Sequence, residues 1–219
     1  MLRVVAILLL LVSPLFAAEV EYTVVVRDNT GEHTAPVAKP TDWPYVCVCD
    51  IQCGDAGGSA TLIGIAGKRG IAATAAHVVE QGNTVRLTFP TGYKCTGRVV
   101  GRNSQLDLAA IDLPVQPGMS TPRGVRAAKS SDKVLLAIGY PWYGQGAEHF
   151  TKGRNLGYQG TDVHFDAQPY IHSGFSGGCL LSEDGWYVGA TNGYGVGYSY
   201  AASGPSMVRF FSRWVKVQE

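Results

Sequence analysis

The chain has 219 residues, 46% hydrophobic and 16% charged, a composition that excludes an intrinsically disordered protein. Its formal net charge is +1, and removing residues 1–18, which hold one arginine, leaves zero, so broad electrostatic binding to nucleic acid or anionic membranes is not expected. The 28 glycines and 11 tyrosines favour an all-β architecture, because tight turns and barrel corners need glycine.

Residues 1–18 have the layout of a secretory signal peptide. Arg3 is a short positive region, Val4–Val12 is an unbroken apolar run, and the small residues Ala17 and Ala18 follow. The run is too short to span a bilayer comfortably, and no later stretch is long enough. We therefore expect a secreted or periplasmic protein with no membrane span after signal removal; a buried N-terminal helix is the alternative.

An N-terminal extension over residues 19–44 precedes the predicted folded domain, residues 45–217. Alternating β-branched residues over 19–27 predict a strand. Residues 28–44 are polar and interrupted by prolines, which is typical of a linker.

Beyond residue 45 the chain consists of short β-prone runs, most of them bounded by Gly, Pro, Asn or Asp. Such runs predict a β-sandwich or barrel. The segment 114–126, rich in Pro, Gly and Ser, divides them into two sets. Residues 206–217 have apolar side chains at helical spacing and predict a terminal amphipathic helix with Ser206 as its N-cap. Examples of these runs lie at 59–66, 84–89, 96–101, 108–113, 133–140, 162–165, 178–181 and 186–192.

Five cysteines, Cys47, Cys49, Cys53, Cys95 and Cys179, leave at least one thiol free or paired between chains. The first three form a cluster whose spacing contains no paired C-x-x-C. A structural disulfide from this cluster, for example to Cys95, is therefore favoured over a metal site. No metal ion or other cofactor is predicted.

Ser176 lies in the glycine-rich segment His172–Gly178, which has the features of a nucleophile loop. A serine hydroxyl becomes nucleophilic when a base removes its proton, and its attack on a carbonyl creates an oxyanion. Glycines allow the backbone N–H groups to converge on that oxyanion. The pattern also fits the G-x-S-x-G elbow of α/β-hydrolases, but that fold needs a histidine after the serine, and none follows Ser176.

A base and a carboxylate are predicted upstream of the serine. His77 ends a run of small residues that reads as a strand, and a histidine of near-neutral pKa can accept the serine proton. Asp107 immediately precedes an apolar strand, where a carboxylate can orient the imidazole. Asp112 and Asp132 are its rivals, and Asp107 is favoured.

Together these motifs resemble those of the trypsin-like (chymotrypsin-fold) serine peptidases. The resemblance covers about residues 55–217 and is closest to the Deg/HtrA-type protease domain, here expected without a PDZ domain. The order His, Asp, Ser is also the order of that family. The matching segments are Thr74–His77, Asp107–Ala109, Gly174–Gly178, Ala137–Pro141 and Val188–Asn192.

The resemblance implies two six-stranded antiparallel β-barrels, one over about residues 45–117 and one over about 127–205, followed by the helix at 206–217. It implies a serine endopeptidase that hydrolyses peptide bonds through an acyl-enzyme on Ser176, with His77 as the general base. It also implies an oxyanion hole from the N–H groups of Gly174 and Ser176.

Protein or peptide substrates are the implied partners, and residues 188–193 are expected to line their channel. No aspartate lies where a basic substrate side chain would need one, so a preference for apolar or small residues is expected. The residues predicted to bind substrate are Tyr170, Ile171, His172, Asn192, Gly193 and Tyr194.

Two residues depart from the family pattern. Phe175 occupies the place of an aspartate that pairs with a new N-terminus in the digestive enzymes, so activation by that ion pair is not expected. Its ring is expected in an apolar pocket or shaping the oxyanion loop. Cys179 replaces the usual Pro or Ala and is expected to be a small buried thiol.

The alternative function is a catalytically inactive trypsin-like module that binds extended peptides.

Overall fold

The computed structural model describes residues 21–28, 31–38, 47–141 and 149–217; the predicted signal peptide, residues 1–18, lies outside these ranges. The strands are β1 (Glu21–Asp28), β2 (Gly31–Ala38), β3 (Val48–Cys53), β4 (Ala56–Ala66), β5 (Arg69–Thr74), β6 (Thr84–Thr88), β7 (Lys94–Asn103), β8 (Leu108–Pro114), β9 (Val134–Gly139), β10 (His149–Gln159), β11 (Asp162–Gln168), β12 (Cys179–Ser182), β13 (Tyr187–Gly195) and β14 (Tyr198–Ala202). A 3-10 helix covers His77–Val79, and helix α1 covers Gly204–Phe211.

Strands β1 and β2 form an antiparallel two-stranded sheet within the predicted extension. Glu21 lies opposite Ala38 and Asp28 opposite Gly31. The sequence predicted the first of these strands and a linker in place of the second. Pro36 was the reason for that reading, yet a proline is tolerated in a strand that lacks a neighbour on one side.

Strands β3 to β8 close into barrel one, in the order β3-β4-β5-β8-β7-β6 with antiparallel neighbours. The alternation of each strand decides which side chains enter the barrel. In β6, for example, Val85 and Leu87 are buried while Thr84 and Arg86 are exposed.

Strands β9 to β14 close into barrel two, in the order β10-β11-β14-β13-β12-β9. Its interior is filled by buried apolar side chains, among them Leu135, Val163, Phe165, Leu180 and Val188. Two closed six-stranded antiparallel barrels and a C-terminal helix confirm the predicted all-β fold.

Helix α1 is shorter than predicted and begins earlier. It runs over Gly204–Phe211 with Ser203 at its N-cap, whereas residues 206–217 with Ser206 were predicted. The chain leaves the helix because Trp214 and Val215 pack on barrel one; a Cβ built on Gly101 would lie 2.4 Å from the Trp214 ring. No helix in the described ranges is long and apolar enough to cross a bilayer.

None of the five cysteines is in a disulfide, so the predicted disulfide from the cluster is not formed in this structure. Cys49 and Cys53 lie four residues apart on one face of β3, so their Cα atoms are about 13 Å apart, too far for a disulfide. Cys95 lies on β7, and β6 separates β7 from β3. The cluster supplies small apolar side chains to the interior of barrel one, and Cys179 is buried as expected.

Candidate active site

The candidate site lies where the two barrels meet, on segments that join strands rather than within strands. His77 starts the 3-10 helix that follows β5 of barrel one, and Asp107 ends the turn that precedes β8. Ser176 lies on the loop that leads into β12 of barrel two.

The structure brings His77 and Asp107 into contact through two hydrogen bonds. Asp107 Oδ2 lies 2.7 Å from His77 Nδ1, and Asp107 Oδ1 accepts a bond from the His77 backbone N–H at 3.0 Å. One carboxylate therefore fixes both the position of the residue and the direction of its ring. With Nδ1 bonded to the carboxylate, Nε2 is the ring nitrogen left to act as a base.

Asp107 has a backbone conformation that side chains seldom adopt. Its φ is +49°, in the left-handed region that aspartate and asparagine tolerate better than most residues. The preceding turn is held by Asn103, whose Oδ1 accepts bonds from the N–H groups of Gln105 and Leu106, each at 3.1 Å. This local turn directs the Asp107 carboxylate towards His77 rather than along β8.

The two rival aspartates are engaged elsewhere. Asp112 faces outward from β8 and accepts a bond from Arg69 Nε at 3.0 Å. Asp132 accepts two bonds from Arg126, at 2.8 and 2.9 Å. Neither is among the hydrogen-bond partners of His77 in the described part of the chain.

The Asp107 carboxylate raises the pKa of His77 above the ordinary histidine value. Its hydrogen bond is the largest cause, and the negative charges of Asp107 and Glu80 act in the same direction, while partial burial opposes them. The His77 side chain remains 45% exposed, so protons from solvent can reach it. Such an imidazole accepts a proton more readily than a free histidine.

The loop that carries Ser176 is a tight turn held by backbone hydrogen bonds. Phe175 N donates to His172 O at 3.0 Å, and Gly178 N donates to Phe175 O at 2.8 Å. Gly177 N donates to Thr191 O of β13 at 2.6 Å. Gly174 and Gly177 have φ values of +98° and +81°, which explains why glycines flank the serine.

Barrel one packs directly against this loop. Ser59 N of β4 donates to Ser176 O at 2.8 Å, and Ser59 Oγ donates to Gly174 O at 2.7 Å. A Cβ built on Gly58 would lie 2.7 Å from Ser176 O and 2.9 Å from a methyl of Val78, the residue after His77. The bare backbone of Gly58 is thus what allows the serine loop and the histidine segment to approach each other.

The Ser176 hydroxyl has a hydrogen bond of its own in this structure. It donates to Asn192 O at 3.4 Å, a long contact, and no hydrogen bond joins it to the His77 ring among the described residues. Within the same ranges, the N–H groups of Gly174 and Ser176 donate to no acceptor. Both donors are thereby available to an oxygen atom of a bound molecule.

Phe175 is 3% exposed and packs in the apolar interior of barrel two, as the sequence analysis expected. Its ring lies against Gly139, where a Cβ would approach Phe175 Cδ1 to 2.7 Å. An apolar anchor therefore occupies the position immediately before the serine.

Of the residues predicted to bind substrate, five have partly or well exposed side chains or backbone and one does not. Tyr170 and Tyr194 are 41% and 52% exposed, and the ring of His172 lies 5.7 Å from that of Tyr194. Ile171 is only 1% exposed and its side chain belongs to the core of barrel two, so it differs from the other five. The alternation of buried and exposed residues in this segment turns Ile171 inward. Asn192 and Gly193 lie on β13, beside Ser176.

Sequence reasoning missed the residues that support the site, above all Ser59, Thr74 and Asn103. Their roles depend on partners distant in the chain or on a local turn, and a lone serine or asparagine carries little signal. Among the described residues no group of His, Cys, Asp and Glu side chains is placed to hold a metal ion.

A family model described as a trypsin-like peptidase domain matches residues 58–189. The probable serine protease do-like of Buchnera aphidicola subsp. Acyrthosiphon pisum (strain APS) is 31% identical over 150 residues, which are 61% of this chain and 30% of that protein. The probable periplasmic serine endoprotease DegP-like of Buchnera aphidicola subsp. Schizaphis graminum (strain Sg) is 28% identical over 165 residues, 66% of this chain and 33% of that protein.

The serine protease Do-like HtrA of Lactobacillus helveticus is 26% identical over 132 residues, 55% of this chain and 32% of that protein. The chain thus spans about a third of the length of these curated relatives. The crystal structure of the serine endoprotease from Yersinia pestis matches with a TM-score of 0.63 at 19% identity, covering 77% of this chain and 62% of that one. At this identity the likeness concerns the fold.

Proposed function

Because the chain belongs to the trypsin-like peptidase family, we propose that it is a serine endopeptidase in which His77, Asp107 and Ser176 form the catalytic triad. The observation that carries the proposal is the pairing of Asp107 with His77 at 2.7 Å on the segment packed beside the Ser176 loop. A carboxylate-oriented imidazole next to a serine between two glycines is what acyl transfer requires.

The proposed reaction begins when His77 Nε2 takes the proton of Ser176 Oγ as that oxygen bonds to the scissile carbonyl carbon. The carbonyl oxygen becomes an oxyanion, stabilised by the free N–H groups of Gly174 and Ser176. The imidazolium then gives its proton to the leaving amine, and the C–N bond breaks. Water, deprotonated by His77, attacks the acyl-enzyme, releases the acid and restores Ser176.

Extended peptides are the proposed substrates, bound beside β13 and the aromatic rim of Tyr170 and Tyr194. The exposed fractions of these rings, 41% and 52%, support a contact with apolar side chains. We expect cleavage after apolar or small residues rather than after Lys or Arg.

We propose a secreted or periplasmic location because residues 1–18 resemble a signal peptide and because one relative is described as a probable periplasmic endoprotease. N-terminal sequencing of the exported protein tests this: a mature chain that still begins at Met1 contradicts it. Disulfide bonding in that compartment receives no support from the structure, in which none of the five cysteines is in a disulfide.

One observation favours the alternative of an inactive peptide-binding module. The Ser176 hydroxyl points to Asn192 O at 3.4 Å and not to the His77 ring. In a catalytic site a rotation about the serine side-chain bond moves the hydroxyl to the imidazole when substrate binds, whereas in a binding module it does not.

Labelling with a fluorophosphonate separates the two functions. We expect one adduct, located on Ser176 by mass spectrometry, in the wild-type protein and none in Ser176→Ala. Ser173→Ala, three residues earlier in the same loop, is the matched control and keeps the adduct. Absence of labelling in folded wild-type protein contradicts the peptidase and supports the binding module.

A further inference from the structure

Ser59 is a fully buried serine of barrel one whose polar atoms all have partners. It lies on β4, and its carbonyl accepts a bond from Thr74 Oγ1 at 2.7 Å within the same barrel. Its remaining polar groups are directed to barrel two. A buried hydroxyl that donates and accepts hydrogen bonds across the barrel interface fixes the groups to which it is bonded.

Two of the three contacts to barrel two hold the serine loop. Ser59 N donates to Ser176 O at 2.8 Å, and Ser59 Oγ donates to Gly174 O at 2.7 Å. The third ends at Tyr140, just after β9, whose N–H donates to Ser59 Oγ at 2.8 Å. Because Ser59 Oγ accepts a hydrogen bond from the Tyr140 N–H, the hydroxyl hydrogen is directed to the Gly174 carbonyl.

Gly174 needs such a restraint more than most residues. Its φ of +98° is accessible to glycine, and a glycine backbone rotates easily between conformations. Fixing its carbonyl fixes the peptide plane that follows it and limits the rotation of its own N–H. The same serine restrains the Ser176 carbonyl, so both residues that donate to the proposed oxyanion are held through their carbonyl groups.

We propose that Ser59 is a positioning residue for the oxyanion hole, acting across the barrel interface through the carbonyl groups of Gly174 and Ser176. This inference rests on the proposed peptidase function. Ser59 contacts no reacting atom; its effect is to keep two N–H groups converged on one point before substrate arrives, which is where such donors contribute most to the rate.

Ser59→Ala removes the hydroxyl, and Thr61→Val is the matched control. Thr61 lies two residues further along β4, is equally buried, and has an Oγ1 with no hydrogen-bond partner. The full chain is assayed with a fluorogenic peptide for kcat and KM, and with a peptide boronic acid, which forms a tetrahedral adduct, for affinity. A positioning role lowers kcat and the affinity for the boronic acid while KM changes little. Loss of folded protein lowers only the fraction of active molecules and leaves the affinity of the remaining ones unchanged.

We expect Ser59→Ala to lower kcat about 10- to 100-fold, less than the loss of a whole oxyanion donor, with KM changed less than threefold. Boronic acid affinity falls by a similar factor. Thr61→Val keeps wild-type values for all three. Wild-type kcat and boronic acid affinity in Ser59→Ala would overturn the proposal.

Ser59→Cys guards against a variant that fails to fold. It keeps the branching of the side chain with a somewhat larger terminal atom, and its thiol is a weaker donor at a longer distance, so the folded protein, checked by circular dichroism, shows the same loss of kcat. A folded Ser59→Cys with wild-type kcat contradicts the role of the hydroxyl. A wild-type protein that neither cleaves peptide nor binds the boronic acid overturns the peptidase function itself and this inference with it.

Discussion

Asp107 holds His77 by its side chain and by its backbone at once, and these two bonds have different consequences at the scale of the residue. The bond to the His77 N–H, 3.0 Å long, positions the segment. The bond to Nδ1 raises the pKa of the ring. An asparagine in place of Asp107 keeps an oxygen for one bond but removes the negative charge.

Asp107→Asn tests the second of these effects. Catalysis needs a neutral imidazole, so kcat/KM of the wild type rises with pH through the raised pKa of His77. The variant has this midpoint at lower pH, and its kcat falls by about 10⁴-fold because the ring loses its preferred tautomer. The pH profile of peptide hydrolysis measures both.

Asp112→Asn is the control for that change, since its carboxylate pairs with Arg69 on the outside of barrel one. It keeps the wild-type profile. An Asp107→Asn enzyme with an unshifted midpoint would show that another group sets the pKa of His77. The free energy of unfolding changes with pH in the direction opposite to kcat/KM. The His77–Asp107 ion pair stabilises the fold below the unfolded pKa of histidine, and this stabilisation is lost as pH rises through the folded pKa.

The residues proposed to react were accessible from sequence, and those that support them were not. His77, Asp107 and Ser176 stand in short motifs in a fixed order, which is local information. Ser59 acts on Gly174, which is 115 residues away in the chain, and no local pattern records that pairing. Ile171 was predicted together with its exposed neighbours, and local sequence did not reveal that its side chain turns into the core of barrel two.

At the scale of the element, the C-terminal segment ties barrel two to barrel one. After α1, Trp214 covers Gly101 of β7 and Val215 covers Gly64 of β4. Both glycines lie where the strand register shifts, at irregularities of β7 and β4. Each bulge offers a flat patch of backbone on which a side chain from the terminal segment lies.

Gly101→Ala tests this contact. Its new Cβ would lie 2.4 Å from the Trp214 ring, so the ring is displaced and the protein loses about 1–3 kcal/mol of unfolding free energy. Urea denaturation followed by tryptophan fluorescence measures the loss. Gly82→Ala is the control, because its Cβ meets its nearest neighbour, Cys53 Sγ, at an ordinary 3.6 Å. Equal stabilities for the two variants would argue against the contact.

Sequence patterns located the strands with strong alternation or β-branched runs better than the others. Strands β3, β10 and β14 were not singled out. Of these, β10 (HFTKGRNLGYQ) contains glycines and charges, and β14 (YSYAA) contains small residues, in place of an apolar alternation. Their positions are imposed by closure of barrel two. Helix α1 was predicted too long for a similar reason: its apolar spacing continues past Phe211, but those side chains belong to the contact with barrel one.

At the scale of the whole molecule, an ion cluster around the buried Arg126 anchors the connection between the barrels. Arg126, 4% exposed, contacts Asp132 at 2.8 Å and Asp184 at 3.2 Å. Burial alone would raise the pKa of Asp132, but the hydrogen bonds and charge of Arg126 outweigh it and lower the pKa. The pKa of Asp184 is lowered first by its bond to Ser182 and further by Arg126.

These lowered pKa values make the fold sensitive to acid. The carboxylates contribute stability above their unfolded pKa of about 4, and that contribution is lost as pH falls through their folded values. Arg126→Met is expected to cost about 3 kcal/mol at neutral pH and to make stability less dependent on pH below 4. Urea denaturation at a series of pH values checks both.

Arg123→Met is the control for the ion cluster, because Arg123 lies over the same Trp186 ring but outside the ion pairs described here. It keeps the acid dependence of the wild type. If the free energy of unfolding of Arg126→Met fell with decreasing pH as in the wild type, other carboxylates would be the ones that determine acid unfolding.

The buried cysteine thiols can report when the structure around them opens. Cys47, Cys49, Cys53 and Cys179 are all buried in one apolar cluster, which fills barrel one and extends to the face of barrel two that packs on it. Burial also keeps Cys49 protonated by raising its pKa. An alkylating reagent reaches them only when the surrounding strands separate. Pulses of reagent, followed by mapping of the modified cysteines, therefore time the opening of barrel one and of its contact with barrel two, with no label added to the chain.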